Sequence, residues 1–326
     1  MAKILNAGLI GTGSLSTKRI YPYLSSAGMK VKAVTAIHLD HAVEKCDLYG
    51  GRPYTNWHQM IEQEWPDVVI ACVGPELHYE AAKFCIEKKI PIYTEKPPAS
   101  NADQIEEILN LANKYQSFCM AGFKKRYSAC YKRAKKWLNA FSTSDWECFS
   151  VDWYAGKFDL DHNPKETVLL DFGIHAIDLV TWLFGPAKKV AAFSKGWDSF
   201  AVTLKMANGV IGTLTISDHR SFEFPGENTE ITISGGHAMS VHNSSGWRIQ
   251  KQGRPVEWFE PPTCLASGDS GYNTGMLAEL EVFSDLVRQG AAPIENLETS
   301  YHTLRLYDAI RLSAKKGGEL ISLNIQ

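Results

Sequence analysis

Up to Gly122, short apolar runs alternate with stretches of mixed polarity and helical length. Residues Ile4 to Ile10, Val31 to Ile37, Val68 to Val73, Ile90 to Tyr93 and Phe118 to Gly122 read as strands. Helix-like segments lie between them: Gly13 to about Ser26, His41 to Tyr49, Trp57 to Glu64, the stretch running to Lys88, and Asp103 to Tyr115 with Ser100-Asn101 as caps. Repeated strand–helix alternation with unbroken apolar strands predicts a parallel sheet with helices on both faces.

After Phe123 the pattern changes. Residues Val168 to Phe184 are nearly all apolar and predict one buried helix. Beyond Gly185-Pro186, Lys189 to Phe193, Phe200 to Met206, Val210 to Ser217 and Glu230 to Ser234 alternate with period two, and Asn208-Gly209 is a hairpin turn between two of them. An antiparallel sheet is expected, followed by helices over Met276 to Arg288 and Ser300 to Lys316 and a last strand at Leu320 to Leu323. The change of pattern divides the chain into residues 1–122 and 123–326.

A chain of 326 residues exceeds one typical core, which agrees with two domains. Its formal net charge of −2 gives no global pull toward nucleic acid or an anionic membrane. Of the basic residues between Lys124 and Lys136, interleaved with Tyr127, Tyr131 and Trp137, the outer lysines therefore read as a solvated helix face, Lys124 to Tyr127 stand apart at the domain crossing, and no nucleic-acid partner is expected. Seven scattered cysteines without a C-x-x-C pair or zinc-like spacing point to reduced thiols in a cytoplasmic protein and to no metal site. No apolar run reaches the ~18 residues of a membrane span.

The first strand ends in Gly11-Thr12-Gly13, which opens a helical stretch. Glycines in that position let the backbone approach a pyrophosphate, and the following N–H groups supply positive dipole ends, so a dinucleotide is the expected ligand. Ser16 fills the third small-residue position. Where an acid ordinarily binds the adenosine ribose at the end of the second strand, this chain has Ala36, with His38 nearby. Without that carboxylate a 2′-phosphate is not repelled, so NAD and NADP both fit.

Glu95 and Lys96 directly follow a strand and precede Pro97-Pro98, at the end of the sheet where ligands bind. Proline fixes its own φ and restricts the residue before it, so Lys96 is expected to be extended. Within Val168 to Phe184, Asp171, His175 and Asp178 stand four and three residues apart, a spacing that puts them on one helical face. Charged groups in apolar surroundings need partners or a task. His175 suits proton transfer, and Asp171 suits fixing its tautomer.

Four segments in order carry a family resemblance: GLIGTG at 8–13, Glu95-Lys96-Pro97, GFKKRY at 122–127 and DFGIHAID at 171–178. The chain resembles the Gfo/Idh/MocA oxidoreductases over nearly its whole length. The resemblance implies an α/β fold: an N-terminal Rossmann dinucleotide-binding domain and a C-terminal α/β domain with an open, largely antiparallel sheet. It also implies hydride transfer between NAD or NADP and a secondary alcohol or ketone of a sugar, polyol or related cyclic alcohol. Lys96, Asp171 and His175 match the family's catalytic lysine, aspartate and histidine, and Gly11, Thr12, Gly13, Ser14 and Leu15 its pyrophosphate turn. His38, Val73, Gly74, His78, Glu95 and Lys96 are the further cofactor candidates, although Val73-Gly74-Pro75 replaces the Thr-Pro-Asn of many relatives and Ala36 the usual acid. Arg126, Tyr127, Trp153, Tyr154 and Asp178 are candidates for the substrate pocket. The outer face of the second sheet is an expected homo-oligomer surface, of a dimer or a tetramer. Two alternatives are a non-catalytic regulator that senses dinucleotide and sugar on the same fold, and a glycosidase using bound NAD transiently; the retained Lys96, Asp171 and His175 argue against the regulator, and no glycine–histidine-rich signature supports the glycosidase.

Overall fold

The computed structural model describes residues 3–156, 168–221, 226–260 and 274–324. They form two compact units: Met1–Lys124 with Met276–Tyr301, and Lys125–Gly275 with His302–Gln326. The change of unit after Lys124 lies two residues from the boundary read from the sequence. The return of Met276–Tyr301 to the first unit is a feature that a single boundary does not contain.

In the first unit the elements follow as β1 (Leu5–Ile10), β2 (Met29–Thr35), α1 (Leu39–Tyr49), β3 (Arg52–Tyr54), α2 (Trp57–Glu64), β4 (Val68–Ala71), α3 (Pro75–Glu87), β5 (Ile92–Glu95), α4 (Ala102–Tyr115) and β6 (Cys119–Gly122). The six strands are all parallel, in the order β3-β2-β1-β4-β5-β6. Every residue of β4, β5 and β6 is buried, which is why these strands read as unbroken apolar runs without alternation. Asn56 and Asn101 cap α2 and α4 by accepting the N–H of Gln59 (3.1 Å) and Gln104 (3.0 Å). Because β1 lies between β2 and β4, consecutive connections diverge there, and a crevice opens at the carboxyl ends of β1 and β4.

The long helix expected after Gly13 is replaced by a five-residue π turn, Ser16–Ile20, and a 3₁₀ turn, Tyr21–Tyr23. Pro22 has no N–H to continue an α-helix, and the Tyr21 hydroxyl donates to Gly11 O at 2.6 Å, tying the segment back to the glycine turn.

The helix Met276–Gln289 completes this unit. Phe283 packs edge-on against Tyr93 and Phe118, and the Arg288 guanidinium donates to Lys3 O and Gly28 O, both at 2.9 Å. Asn296 meets the edge strand β6 as another strand would. Its Oδ1 accepts the Ala121 N–H at 2.8 Å and its Nδ2 donates to Ala121 O at 3.1 Å, which satisfies a buried sheet edge.

The second unit contains α5 (Ala129–Leu138), β7 (Trp146–Gly156), α6 (Ile174–Phe184), β8 (Ala187–Lys195), β9 (Ser199–Met206), β10 (Ile211–Arg220), β11 (Gly226–Ile233), β12 (His237–His242), β13 (Gly246–Lys251), β14 (Glu257–Phe259) and β15 (Ile321–Ser322). These strands form one nine-stranded sheet, β14-β13-β12-β11-β7-β10-β9-β8-β15. All neighbours are antiparallel except the central pair β7 and β10, which is parallel. Among the described residues, seven of the eight neighbouring pairs are antiparallel, in line with the expected largely antiparallel sheet, while β7 and its parallel pairing with β10 carry no counterpart among the expected strands. The Asn208-Gly209 turn joins β9 to β10 as expected, with Met206 N–H donating to Val210 O at 2.8 Å and Gly209 at φ 97°. Buried and exposed positions alternate along β9 and β10, so one sheet face carries the core. Ten of the eleven residues of α6 are buried, with Phe184 stacked on Phe149 at 4.3 Å.

The residues Val168–Gly173 form a π turn before α6, not the first part of one regular helix. The wider turn interrupts the spacing between Asp171 and His175 but not that between His175 and Asp178, both within α6: Asp171 is exposed, while His175 and Asp178 are buried. Among the described residues, no helix is long and apolar enough to cross a membrane.

Candidate active site

Within the first unit, a cavity of about 540 Å³ opens at the carboxyl ends of β1, β2 and β4. Gly11, Thr12 and Gly13 line it beside Cys72, Val73 and Gly74, together with Ala36, His38, His41 and Trp57. Gly11 shows why the turn needs glycine. Its φ is +104°, and a Cβ there would lie 2.2 Å from Cys72 O. The bare backbone leaves the cradle that a pyrophosphate requires, so the residues present fit a dinucleotide. Ser16 is buried and its Oγ donates to Gly13 O at 2.9 Å, so the small third position braces the turn. Ser14 and Leu15 stand exposed just past it.

Of the cofactor candidates, Gly11, Thr12, Gly13, His38, Val73 and Gly74 line the cavity. Ala36 also lines it, and no acid takes its place among the lining residues. His41, Thr55, Trp57, Cys72 and Leu77 also line it and were not among the residues expected from sequence. Their signal was positional, since Thr55 directly follows β3 and Cys72 directly follows β4.

His78 departs from the expectation of a cofactor contact. Its side chain is fully buried, with Nε2 accepting the Val73 N–H at 3.0 Å and Nδ1 at 2.8 Å from Pro97 O. A carbonyl only accepts, so Nδ1 carries the proton and the ring is the neutral tautomer. Burial, the largest cause, pushes its pKa down to about 4. His78 therefore fastens the Val73–Gly74 turn to the loop after β5 from below.

That loop carries Lys96, half-buried, joined to Pro97 by a cis peptide bond. Glu95, 3% exposed, ends β5; its Oε2 accepts the Lys96 N–H at 3.0 Å. Burial pushes the Glu95 carboxyl upward, opposed by the ammonium groups of Lys96 and Lys124. Glu95 and Lys96 also act electrostatically on the Cys72 thiol in the cavity wall, which burial raises far above its ordinary value. The parallel sheet thus brings the glycine turn and Lys96 to one edge of the unit.

In the second unit, Arg126 and Asp178 bind each other. Arg126 Nε donates to Asp178 Oδ2 at 2.8 Å, Nη2 donates to Oδ1, and Thr303 Oγ1 donates to Oδ1 at 3.1 Å. Burial pushes the Asp178 carboxyl up and Arg126 pulls it back. This fork lies in the core, which gives both residues a structural task where a substrate contact was expected. Trp153 is likewise buried at 2%, beneath the Lys125 ammonium 5.1 Å from its ring centre. Lys125 donates in turn to Glu227 and, at 2.8 Å, to Ser244 Oγ. Tyr154 is half-buried, with the Arg220 guanidinium 3.8 Å over its ring and its hydroxyl 3.3 Å from Asp152. Tyr127 is half-buried at the end of the 3₁₀ turn Lys124–Tyr127. His175, 9% exposed, occupies the first turn of α6, and Asp171 lies on the π turn before it.

The model of the GFO/IDH/MocA oxidoreductase family's NAD-binding Rossmann fold matches residues 5–123, and that of its C-terminal alpha/beta domain matches residues 139–323. The chain belongs to this oxidoreductase family. This chain is 25% identical over 312 residues to trans-1,2-dihydrobenzene-1,2-diol dehydrogenase of Mus musculus, covering 88% of each chain. It is 23% identical over 199 residues to the Xenopus tropicalis enzyme of that name, and 22% identical over 206 residues to inositol 2-dehydrogenase of Salmonella typhimurium. These matches span 58% of this chain and 60% of the Xenopus protein, and 62% and 61% for the Salmonella pair. Among solved structures, an Agrobacterium radiobacter oxidoreductase in complex with NAD+, L-tartaric acid and magnesium superposes with a TM-score of 0.85 at 15% identity, over 98% of both chains. KijD10, a 3-ketoreductase from Actinomadura kijaniata solved with NADP, gives 0.77 at 19% identity over 95% of this chain and 97% of its own. At these identities the structures share the fold.

Proposed function

We propose that this family member is an NAD(P)-dependent dehydrogenase that oxidises a secondary alcohol of a sugar, polyol or related cyclic diol, or reduces the matching ketone. The observation that carries the reading is the shared edge of the first sheet, where the glycine cradle and the Glu95-Lys96 pair follow the carboxyl ends of parallel strands. Gly11, Thr12 and Gly13 would hold the pyrophosphate, and Ala36, His38 and His41 would meet the adenosine end. When bound, the nicotinamide supplies the hydride acceptor.

An alcohol carbon releases hydride only as its hydroxyl proton departs and the oxygen gains negative charge. Lys96 is assigned to the developing alkoxide as its positive partner. His175 is assigned to take the proton, with Asp171 orienting it. Relatives named for inositol and for a dihydrobenzene diol support a vicinal or ring alcohol as the substrate class.

The test is absorbance of the reduced cofactor with NAD+ and NADP+ against inositols, aldoses and trans-1,2-diols, and with NADH and NADPH against keto-sugars. Turnover is expected for at least one pair. It should be lost in Lys96→Ala and His175→Ala while cofactor affinity by fluorescence titration stays near wild type. Equal loss of cofactor affinity in both variants would refute the assigned roles.

A further inference from the structure

Beneath Lys96, the first unit buries two carboxyl groups around one phenol. The Tyr93 hydroxyl lies 2.9 Å from Glu279 Oε2 and 3.3 Å from Glu95 Oε1, and all three side chains are shielded from solvent. Gly122 makes room for this contact, because a Cβ there would lie 2.4 Å from Tyr93 Oη. Glu95 then reaches the Lys96 N–H with its other oxygen.

A phenol has one proton and donates it to one carboxylate at a time. Two ionised carboxylates on one buried hydroxyl would repel each other, and retaining a single carboxyl proton relieves this. With that proton on Glu95, the chain would hold one proton per link: Glu95 O–H to Tyr93 Oη, and Tyr93 O–H to the Glu279 carboxylate. Moving the first proton onto Tyr93 Oη and the second onto Glu279 Oε2 places the negative charge on Glu95. No proton enters or leaves.

We propose that Tyr93 and Glu279 are positioning residues for Lys96, holding Glu95, its neighbour in the chain, and sharing its proton so that the charge felt by the ammonium is set from the helix Met276–Gln289. The proposal rests on Lys96 being the catalytic ammonium, and its test does not need the substrate. Lysines are reductively methylated with ¹³C-formaldehyde, and the Lys96 resonance is assigned by its loss in Lys96→Ala. Tyr93→Phe and Glu279→Leu should each displace that resonance. Glu279→Gln, which keeps an oxygen acceptor for Tyr93, should displace it less, and cofactor titration should be unchanged in all three.

A Lys96 resonance at its wild-type position in folded Tyr93→Phe overturns the proposal. Where that variant does not fold, 3-fluorotyrosine at position 93 preserves shape while acidifying the phenol; an unmoved Lys96 signal then overturns it equally. Full turnover in Lys96→Ala would instead remove the functional reading and leave the resonance shifts to stand alone.

Discussion

His78 gives the sharpest quantitative test, because its task in the fold and its charge state are set by the same burial. Folded, the ring is neutral, fixed between the Val73 N–H and Pro97 O, with a pKa of about 4 against an ordinary 6.5. The folded value lies below the unfolded one, so between these two pH values the unfolded chain binds a proton that the folded chain refuses. Stability therefore falls as pH falls through that window and is fully present above about 6.5. At ~1.4 kcal/mol per pH unit, the loss approaches about 3 kcal/mol by pH 4. His78→Gln removes the titrating group, and groups common to both proteins cancel in the comparison. At pH 7 the variant should be less stable by roughly 1–3 kcal/mol from imperfect replacement of two buried hydrogen bonds. The wild-type advantage should shrink steadily as pH is lowered, read by urea unfolding at a series of pH values. A difference independent of pH across the window, or a His78 ring resonance titrating near 6.5, would refute the assignment.

Four other outcomes follow from single contacts. Gly11→Ala should weaken NADH and NADPH binding by about 100-fold or more in fluorescence titration, since it adds a Cβ 2.2 Å from a carbonyl oxygen at a positive φ. Ala36→Asp should lower NADPH affinity relative to NADH by roughly tenfold, because a carboxylate in the cavity wall repels a 2′-phosphate; competition by 2′-AMP against AMP reads this directly. Arg126→Ala should destabilise by about 3–5 kcal/mol in urea, leaving a buried Asp178 carboxylate without its guanidinium; adding Asp178→Leu should recover part of the loss. Asn296→Leu should cost about 1–3 kcal/mol and speed amide exchange at Ala121, whose two backbone groups lose their partners.

What the sequence alone determined was governed by neighbours along the chain. Gly11-Thr12-Gly13 was legible because a positive φ and a close backbone approach are demands on one residue. Strands β1, β4, β5 and β6 were legible because a sheet buried on both faces requires an unbroken apolar run. β7 carries a different signal, a period-two pattern in which buried Phe149, Val151, Trp153 and Ala155 alternate with half-buried residues. Positions 171, 175 and 178 share a face on an ideal helix, and the π turn at Val168–Gly173 sets Asp171 apart from the other two.

Tertiary structure decided which partner each polar group meets. Arg126 and Asp178 are 52 residues apart, Tyr93 and Glu279 are 186 apart, and Ala121 and Asn296 are 175 apart. A buried charge announces in the sequence that it needs a partner, but hydrogen bonds form between groups that packing brings within about 3 Å. Sequence could therefore mark Asp178 as a residue with a task, while His78 stood out only by its match to a family position. Only the fold showed that their task is to hold other residues in place.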